Sequence, residues 1–266
     1  MRRLLLLLLL VGITASAQWP QGTGHGYFKL GTWSQVSDTH FEDDGNVITG
    51  DERRFFIPGL YARVGLSDKW TATTYIPFVI TSQEIQAVDG IVTQRGQSIG
   101  DINLSLERLL YKKKGFVFAT DLTLGLPTGR TGIVGSGDGE FNQMVRLLFG
   151  QGFKYGQYPG YVKSNFGYNN RTNGFSNEVR WGVETGVTAD KLFILARVNS
   201  IRSLKDSPYQ IGGNIFGDRI ERTVLGFEVN YALNKKWGLS AGHNTFLSGA
   251  YVFNAPSWTT GITLKL

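Results

Sequence analysis

The chain has 266 residues, no cysteine, a formal net charge of +6 and a slightly negative mean hydropathy. It has no thiols for a disulfide framework or a thiolate metal site, and so small and scattered an excess of bases excludes a nucleic-acid binder. The 35 glycines and 13% aromatic residues suit a curved, interface-seeking β-architecture, and no second apolar run is long enough for a membrane helix.

At the N-terminus, Arg2-Arg3, the apolar stretch Leu4 to Val11 and Ala15-Ser16-Ala17 match the basic, apolar and cleavage parts of a secretory signal. Residues 1–17 are therefore predicted to be removed, leaving 18–266 as one domain with 25 bases against 21 acids. The apolar stretch is far shorter than the roughly 20 residues of a spanning helix.

Twelve strands follow from period-two alternation: 24–37, 53–66, 70–83, 98–111, 115–126, 140–154, 160–170, 174–188, 191–203, 220–233, 237–249 and 256–266. Each is long enough to cross a bilayer at a tilt, which takes roughly 9–11 residues. On the fourth, Ile102, Leu104 and Leu106 face outward, with Asp101, Asn103, Ser105 and Glu107 inward. On the fifth, Phe118, Thr120, Leu122 and Leu124 point out and Asp121 points in. The eighth places Val179, Trp181, Val183 and Val187 outside, with Arg180 and Glu184 inside. The ninth and tenth repeat the pattern, with Arg197 and Glu228 inward. Charges keep to one parity because a charge facing hydrocarbon at the midplane costs on the order of 2–4 kcal/mol.

Tight turns at Ser67-Asp68-Lys69, Lys112-Lys113-Lys114, Ala189-Asp190-Lys191 and Asn234-Lys235-Lys236 alternate with long connections at 38–52, 84–97, 127–139, 204–219 and 250–255. A tight exception is expected at 171–173. The expected fold is an all-β, antiparallel up-and-down transmembrane barrel of about twelve strands, with short periplasmic turns and longer extracellular loops. A soluble sandwich would also alternate, but would not explain the leader or the loop rhythm. The last segment, Trp258 to Leu266, alternates to the final residue and resembles the C-terminal assembly signal of outer-membrane proteins, with Leu266 where an aromatic residue usually stands.

One region is more specific. Ile99-Gly100-Asp101-Ile102-Asn103-Leu104, then Leu124-Gly125-Leu126-Pro127-Thr128-Gly129, then Gly135-Ser136-Gly137-Asp138-Gly139 resemble the MetA-pathway of phenol degradation family. The resemblance covers about one sixth of the chain. It implies an outer-membrane barrel with a transport role, related loosely to hydrocarbon and fatty-acid channels, and says little about substrate. Pro127 ends its strand because it cannot donate to the ladder, and packing of Asp101 against the loop glycines is expected at the outer rim.

Catalysis and metal chemistry find little support. A hydrolase needs a serine beside an oriented histidine, and the three histidines are His25, His40 and His243. His243 shares parity with Leu239 and Ala241, and Ser248 five residues on should face the other way, about 16 Å distant. Glu42-Asp43-Asp44-Gly45-Asn46 offers hard oxygen ligands but departs from calcium-loop spacing. Gly135 to Gly139 lacks the Lys-Ser/Thr of a phosphate loop, and Asn170-Arg171-Thr172 matches a glycosylation acceptor by chance. No enzyme activity, cofactor or metal is expected.

The lumen remains. Its predicted lining is Asp101, Glu107, Asp121, Glu184 and Glu228 against Arg63, Arg146, Lys163, Arg180, Arg197 and Lys265, with Glu184 and Arg197 as near-diagonal neighbours. Phe141, Tyr209, Phe216, Phe246, Tyr251 and Phe253 are candidates for capturing a hydrophobic solute at the outer rim. The leading expectation is a passive channel or transporter for a small, aromatic or hydrophobic solute. The alternatives are a non-conducting structural or adhesive barrel and, behind it, a lipid-acting enzyme. Expected partners are outer-membrane lipid including lipopolysaccharide, the barrel-assembly machinery through the final strand, and the solute.

Overall fold

Strands that keep charge on one face and hydrocarbon on the other cannot satisfy both faces in a flat sheet in water. The computed structural model, which describes residues 20–204 and 217–266, resolves the conflict by closing the sheet on itself. The predicted leader lies outside the described residues. Among the described residues thirteen strands occur: β1 (Gly26–Phe41), β2 (Val47–Gly65), β3 (Trp70–Ala87), β4 (Gly90–Ile99), β5 (Ile102–Lys113), β6 (Phe116–Leu126), β7 (Asn142–Tyr155), β8 (Tyr158–Asn170), β9 (Glu178–Ala189), β10 (Leu192–Ser203), β11 (Glu221–Ala232), β12 (Trp237–Ala250) and β13 (Ser257–Lys265). All pairings are antiparallel between neighbours, and β13 returns to β1, with Tyr27 opposite Lys265 and Gln35 opposite Ser257. The seam is zipped to its end by Gly26 and Leu266, whose amides donate to each other's carbonyls at 3.2 and 2.9 Å.

The thirteen strands make twelve staves. The upper part of β3 pairs with β4 (Phe78 opposite Ile99) and its lower part with β5 (Tyr75 opposite Asn103). Strands β4 and β5 are thus one stave interrupted at Gly100-Asp101. On its far side, β6 reaches up only to Leu126, opposite Ile102, so no strand flanks the other edge of β4. The predicted fourth strand, 98–111, crosses this interruption.

Outward residues form an apolar wall. Leu30, Phe166, Ile194 and Phe227 are each at least half exposed, whereas Glu107, Asp121 and Glu228 are buried. This is a water-soluble protein turned inside out, stable where the outside is hydrocarbon. The parity assignments for Leu104, Leu106, Glu107, Asp121, Leu122, Trp181, Val183 and Glu228 all hold.

Short turns lie at one end, at 66–69, 114–115, 156–157, 190–191 and 233–236. Lys114 (φ 48°) and Gly115 (φ 80°) both take left-handed angles, as a type I′ hairpin turn requires to match the strand twist. At the other end two predicted loops are mostly strand. The segment 38–52 continues β1 and β2 and turns only at 42–46, and 84–97 becomes the tall β3–β4 hairpin. Above the apolar band both faces of a strand meet water, so period-two contrast fades and the sequence there reads as loop. The connection expected at 171–173 runs from 171 to 177.

Candidate functional site

Inward parity brings the predicted lumen charges together as pairs. Arg63 on β2 meets Glu107 on β5 at 2.7 Å, reaching past β3. Arg146 on β7 donates two hydrogen bonds to the carboxylate of Asp121 on β6, one from Nε at 2.8 Å. Lys163 on β8 lies 2.7 Å from Glu184 on β9, which also accepts the Tyr161 hydroxyl. Glu228 on β11 is held by Lys29 of β1 at 2.8 Å and, more loosely, by Arg197 of β10 at 3.7 Å. Arg180 pairs with Glu178.

The prediction for Glu184 and Arg197 needs correction. Register places them directly opposite rather than diagonal, yet each finds its ion pair with another strand. Each takes its partner from the strand on its other side: Lys163 stands directly opposite Glu184 on β8, and Glu228 lies one diagonal from Arg197 on β11. Lysine 29, absent from the predicted lining, completes the girdle. Its inward parity on β1 was legible. Lys265 is exposed and lines the mouth at the short-turn end with Lys191, Lys235 and Lys236, not the girdle.

Two cavities stack along the β3–β7 wall. A lower one of about 400 Å³ is bounded by Tyr61, Arg63, Glu107, Arg146 and Lys163. An upper one of about 240 Å³ reaches Asp101, Asp138, Asn142 and Asn169. Tyr75, Asn103, Thr123, Met144 and Arg180 line both, so they share a wall.

Above them sits a clasp that sequence reasoning found only in part. Asp101 accepts the Gly129 amide on one carboxylate oxygen and the Asp138 amide on the other, each at 2.8 Å. A Cβ at Gly137 would lie 2.4 Å from the same carboxylate, so only glycine lets the chain come this close. Thr128 donates to the Gly100 carbonyl at 2.7 Å and accepts the Ile102 amide at 3.1 Å. The three segments of the family-like region therefore form one unit, bonding a loop across the interruption between β4 and β5. Ser136 extends it, its hydroxyl lying 2.6 Å from that of Ser98 and donating to the Ile99 carbonyl at 2.9 Å. Asp101 does border the upper cavity, but as a loop anchor rather than a free lining charge.

Arg171 ties this loop to the next two. Its guanidinium is 3.1 Å from Asp138, 3.1 Å from Glu178 and 3.6 Å from Asp218, over the Phe175 ring at 4.5 Å, with its side chain 3% exposed. Beside it, Thr172 donates to the buried Glu140 carboxylate at 3.0 Å and accepts the Phe141 amide at 3.0 Å. The Asn-Arg-Thr triplet was read only as a chance glycosylation match. Little local marks Arg171, because Asp138 and Asp218 come from other connections and Glu178 opens β9.

The rim aromatics divide. Phe253 is buried, 5.8 Å from Phe55, in an inward cluster with Ile57, Val79 and Trp33. Strand-like bonds draw it in: the Phe41 amide donates to Val252, and Tyr251 and Asn254 donate to Phe41 and Thr39. Phe246 packs on a second cluster of Phe41, Ile220 and Val252. Tyr251 carries Arg219 over its ring at 5.1 Å, and Phe141 is half-buried beside the clasp. Phe253 and Phe246 thus pack the upper lumen rather than standing open to solvent. Tyr209 and Phe216 lie outside the described residues.

His243 stacks edge-on to Trp258 at 4.5 Å on the outer wall. A bulge in β12 sets Ser248 opposite Thr223 while His243 stands opposite Phe227. This puts the two on one face, against the parity expectation. Four residues of β11 still separate them, roughly 13 Å, too far for a nucleophile and its base. In the acidic turn at 42–46, Asp44 caps the Asn46 amide at 2.8 Å.

No model of a known protein family matches the chain, and no curated protein matches it. Solved structures do. The COG4313 outer membrane channel from Pseudomonas putida F1 is similar with a TM-score of 0.63 at 13% identity, over 96% of this chain and 100% of that one. The β-domain of the Bordetella autotransporter BrkA gives 0.54 at 14% identity, over 91% and 99%. The NanC porin gives 0.53 at 9% identity, over 90% and 100%. At such identities the likeness speaks for architecture alone: this chain has the closed antiparallel fold of outer-membrane β-barrels.

Proposed function

We propose that the protein is a passive outer-membrane channel for a small solute. The observation carrying this reading is the pair of cavities with a common wall, running from the charged girdle to the clasp. Arg63, Arg146, Lys163 and Arg180 are matched along the path by Glu107, Asp121, Asp101 and Asp138, so its wall is polar and balanced in charge. Tyr61, Tyr75 and Met144 give it flat and polarisable surface as well. A compact aromatic molecule bearing a polar group suits both. This fits the transport role implied by the likeness to the MetA-pathway of phenol degradation family, and the COG4313 neighbour is itself described as a channel.

A non-conducting barrel is the second reading. It is favoured by the two apolar clusters that fill part of the upper lumen. Recognition by the barrel-assembly machinery through β13 belongs to either reading.

The test is planar-bilayer conductance of refolded protein under a salt gradient, with benzoate and phenol as competing probes. Discrete steps, reduced by benzoate or phenol, support the channel. Silence from protein with heat-modifiable gel mobility supports the plugged, structural barrel.

A further inference from the structure

On the outer wall, above the apolar band, register aligns a basic row. Arg54 of β2 stands opposite Ser82 of β3, and Ser82 opposite Arg95 of β4. Two strand spacings separate the arginines, roughly 10 Å. The row below has an apolar centre, Phe56 opposite Ile80, between Ser34 and Gln97, with Phe78 beneath. Ser34, Val36, Arg54, Phe56, Ile80 and Arg95 line a groove of about 770 Å³ on this face.

Height fixes what the groove meets. From Val64 to Phe56 the outward residues of β2 are apolar, eight steps of about 3.3 Å. At a tilt of about 40° that rise is roughly 20 Å, against an apolar band of about 25 Å for outer-membrane barrels. Arg54 and Arg95 therefore fall at the outer polar boundary, on the side away from the short turns.

We propose that this face binds an acylated, phosphorylated glycolipid of the outer leaflet, the lipid A part of lipopolysaccharide. Its phosphate lies between Arg54 and Arg95, and acyl chains lie against Phe56, Ile80 and Phe78. The proposal rests on the outer-membrane placement above, but not on conductance. Charge and apolar surface are stacked in the order such a lipid presents them, and guanidinium forks match phosphate oxygens. Glu52, 2.6 Å from Arg54, and Glu84 flank the row from the water side. Among the described residues no carboxylate pairs with Arg95.

The experiment uses delipidated full-length barrel in neutral detergent, with thermal unfolding read by heat-modifiable gel mobility. Bisphosphorylated lipid A is expected to raise the midpoint, dephosphorylated lipid A much less, and phosphatidylglycerol or inorganic phosphate little. The double variant R54Q/R95Q is expected to lose more than half of that rise. Arg202→Gln, an outward arginine paired with Glu221 at 2.7 Å on β10, should keep it. If the double variant does not fold, Arg95→Gln alone is expected to show the loss. An equal rise from phosphatidylglycerol, or a full rise in the arginine variants, overturns the site. Loss of heat-modifiability in the lipid-free wild type would instead count against the barrel placement itself.

Discussion

Asp101 and Asp138 are 37 residues apart, yet the Asp101 carboxylate receives the Asp138 amide at 2.8 Å while its other oxygen receives Gly129. One carboxylate thus closes a loop over the point where the fourth stave breaks. Asp101→Asn turns one acceptor into a donor facing an amide N–H. A cost of about 1–3 kcal/mol is expected for the unmade bond. Protease nicking within 128–139 should rise at temperatures where the wild type resists. Equal resistance in the variant would sink the clasp.

Arg171 is the second test of the same region. Removing it by Arg171→Met takes the cation from buried Asp218 and leaves Glu178 with Arg180 alone. Breaking a buried pair from one side costs about 3–5 kcal/mol. The melting midpoint should fall clearly, and Arg171→Lys should recover only part, since an ammonium cannot fork to three carboxylates. A variant that melts with the wild type would refute the assignment.

In the girdle, Glu184→Gln removes the partner of Lys163, whereas Arg197→Ala removes only the looser of two cations on Glu228. If the channel reading holds, Glu184→Gln shifts selectivity toward anions and Arg197→Ala shifts it less, toward cations. Reversal potentials in a salt gradient measure both. Identical potentials and melting in the two variants would contradict a functional girdle.

Glu140 supplies a pH test. Burial pushes its carboxyl above the usual range, opposed by hydrogen bonds from Thr172 and Asn173. A folded-state value raised above the unfolded one means that the folded chain holds the proton longer. Stability from this group therefore falls as pH climbs from the ordinary carboxylate range through the raised value. Glu140→Gln removes that loss. Its melting midpoint relative to wild type should become more favourable with rising pH across this window. Parallel curves would show that the burial carries no cost.

Alternation alone determined the barrel, its closure and the inward parity of Glu107, Asp121, Arg180, Glu184, Arg197 and Glu228, because each strand meets hydrocarbon on one side and water on the other. The short turns, with Gly115 in place, were equally local. Three features escaped it. Strands beyond the apolar band lost their contrast, so the β3–β4 hairpin read as loop. The bulge near Leu247 reversed parity at Ser248, which a count of residues cannot foresee. The choice of partners was tertiary. Lys29 and Glu228 are 199 residues apart, and Arg171 collects acids from two other connections and the start of β9. Period and turn chemistry act over a few residues and survive in the sequence as pattern. Ion pairing and loop clasping depend on which staves curvature brings face to face, and only the closed barrel decides that.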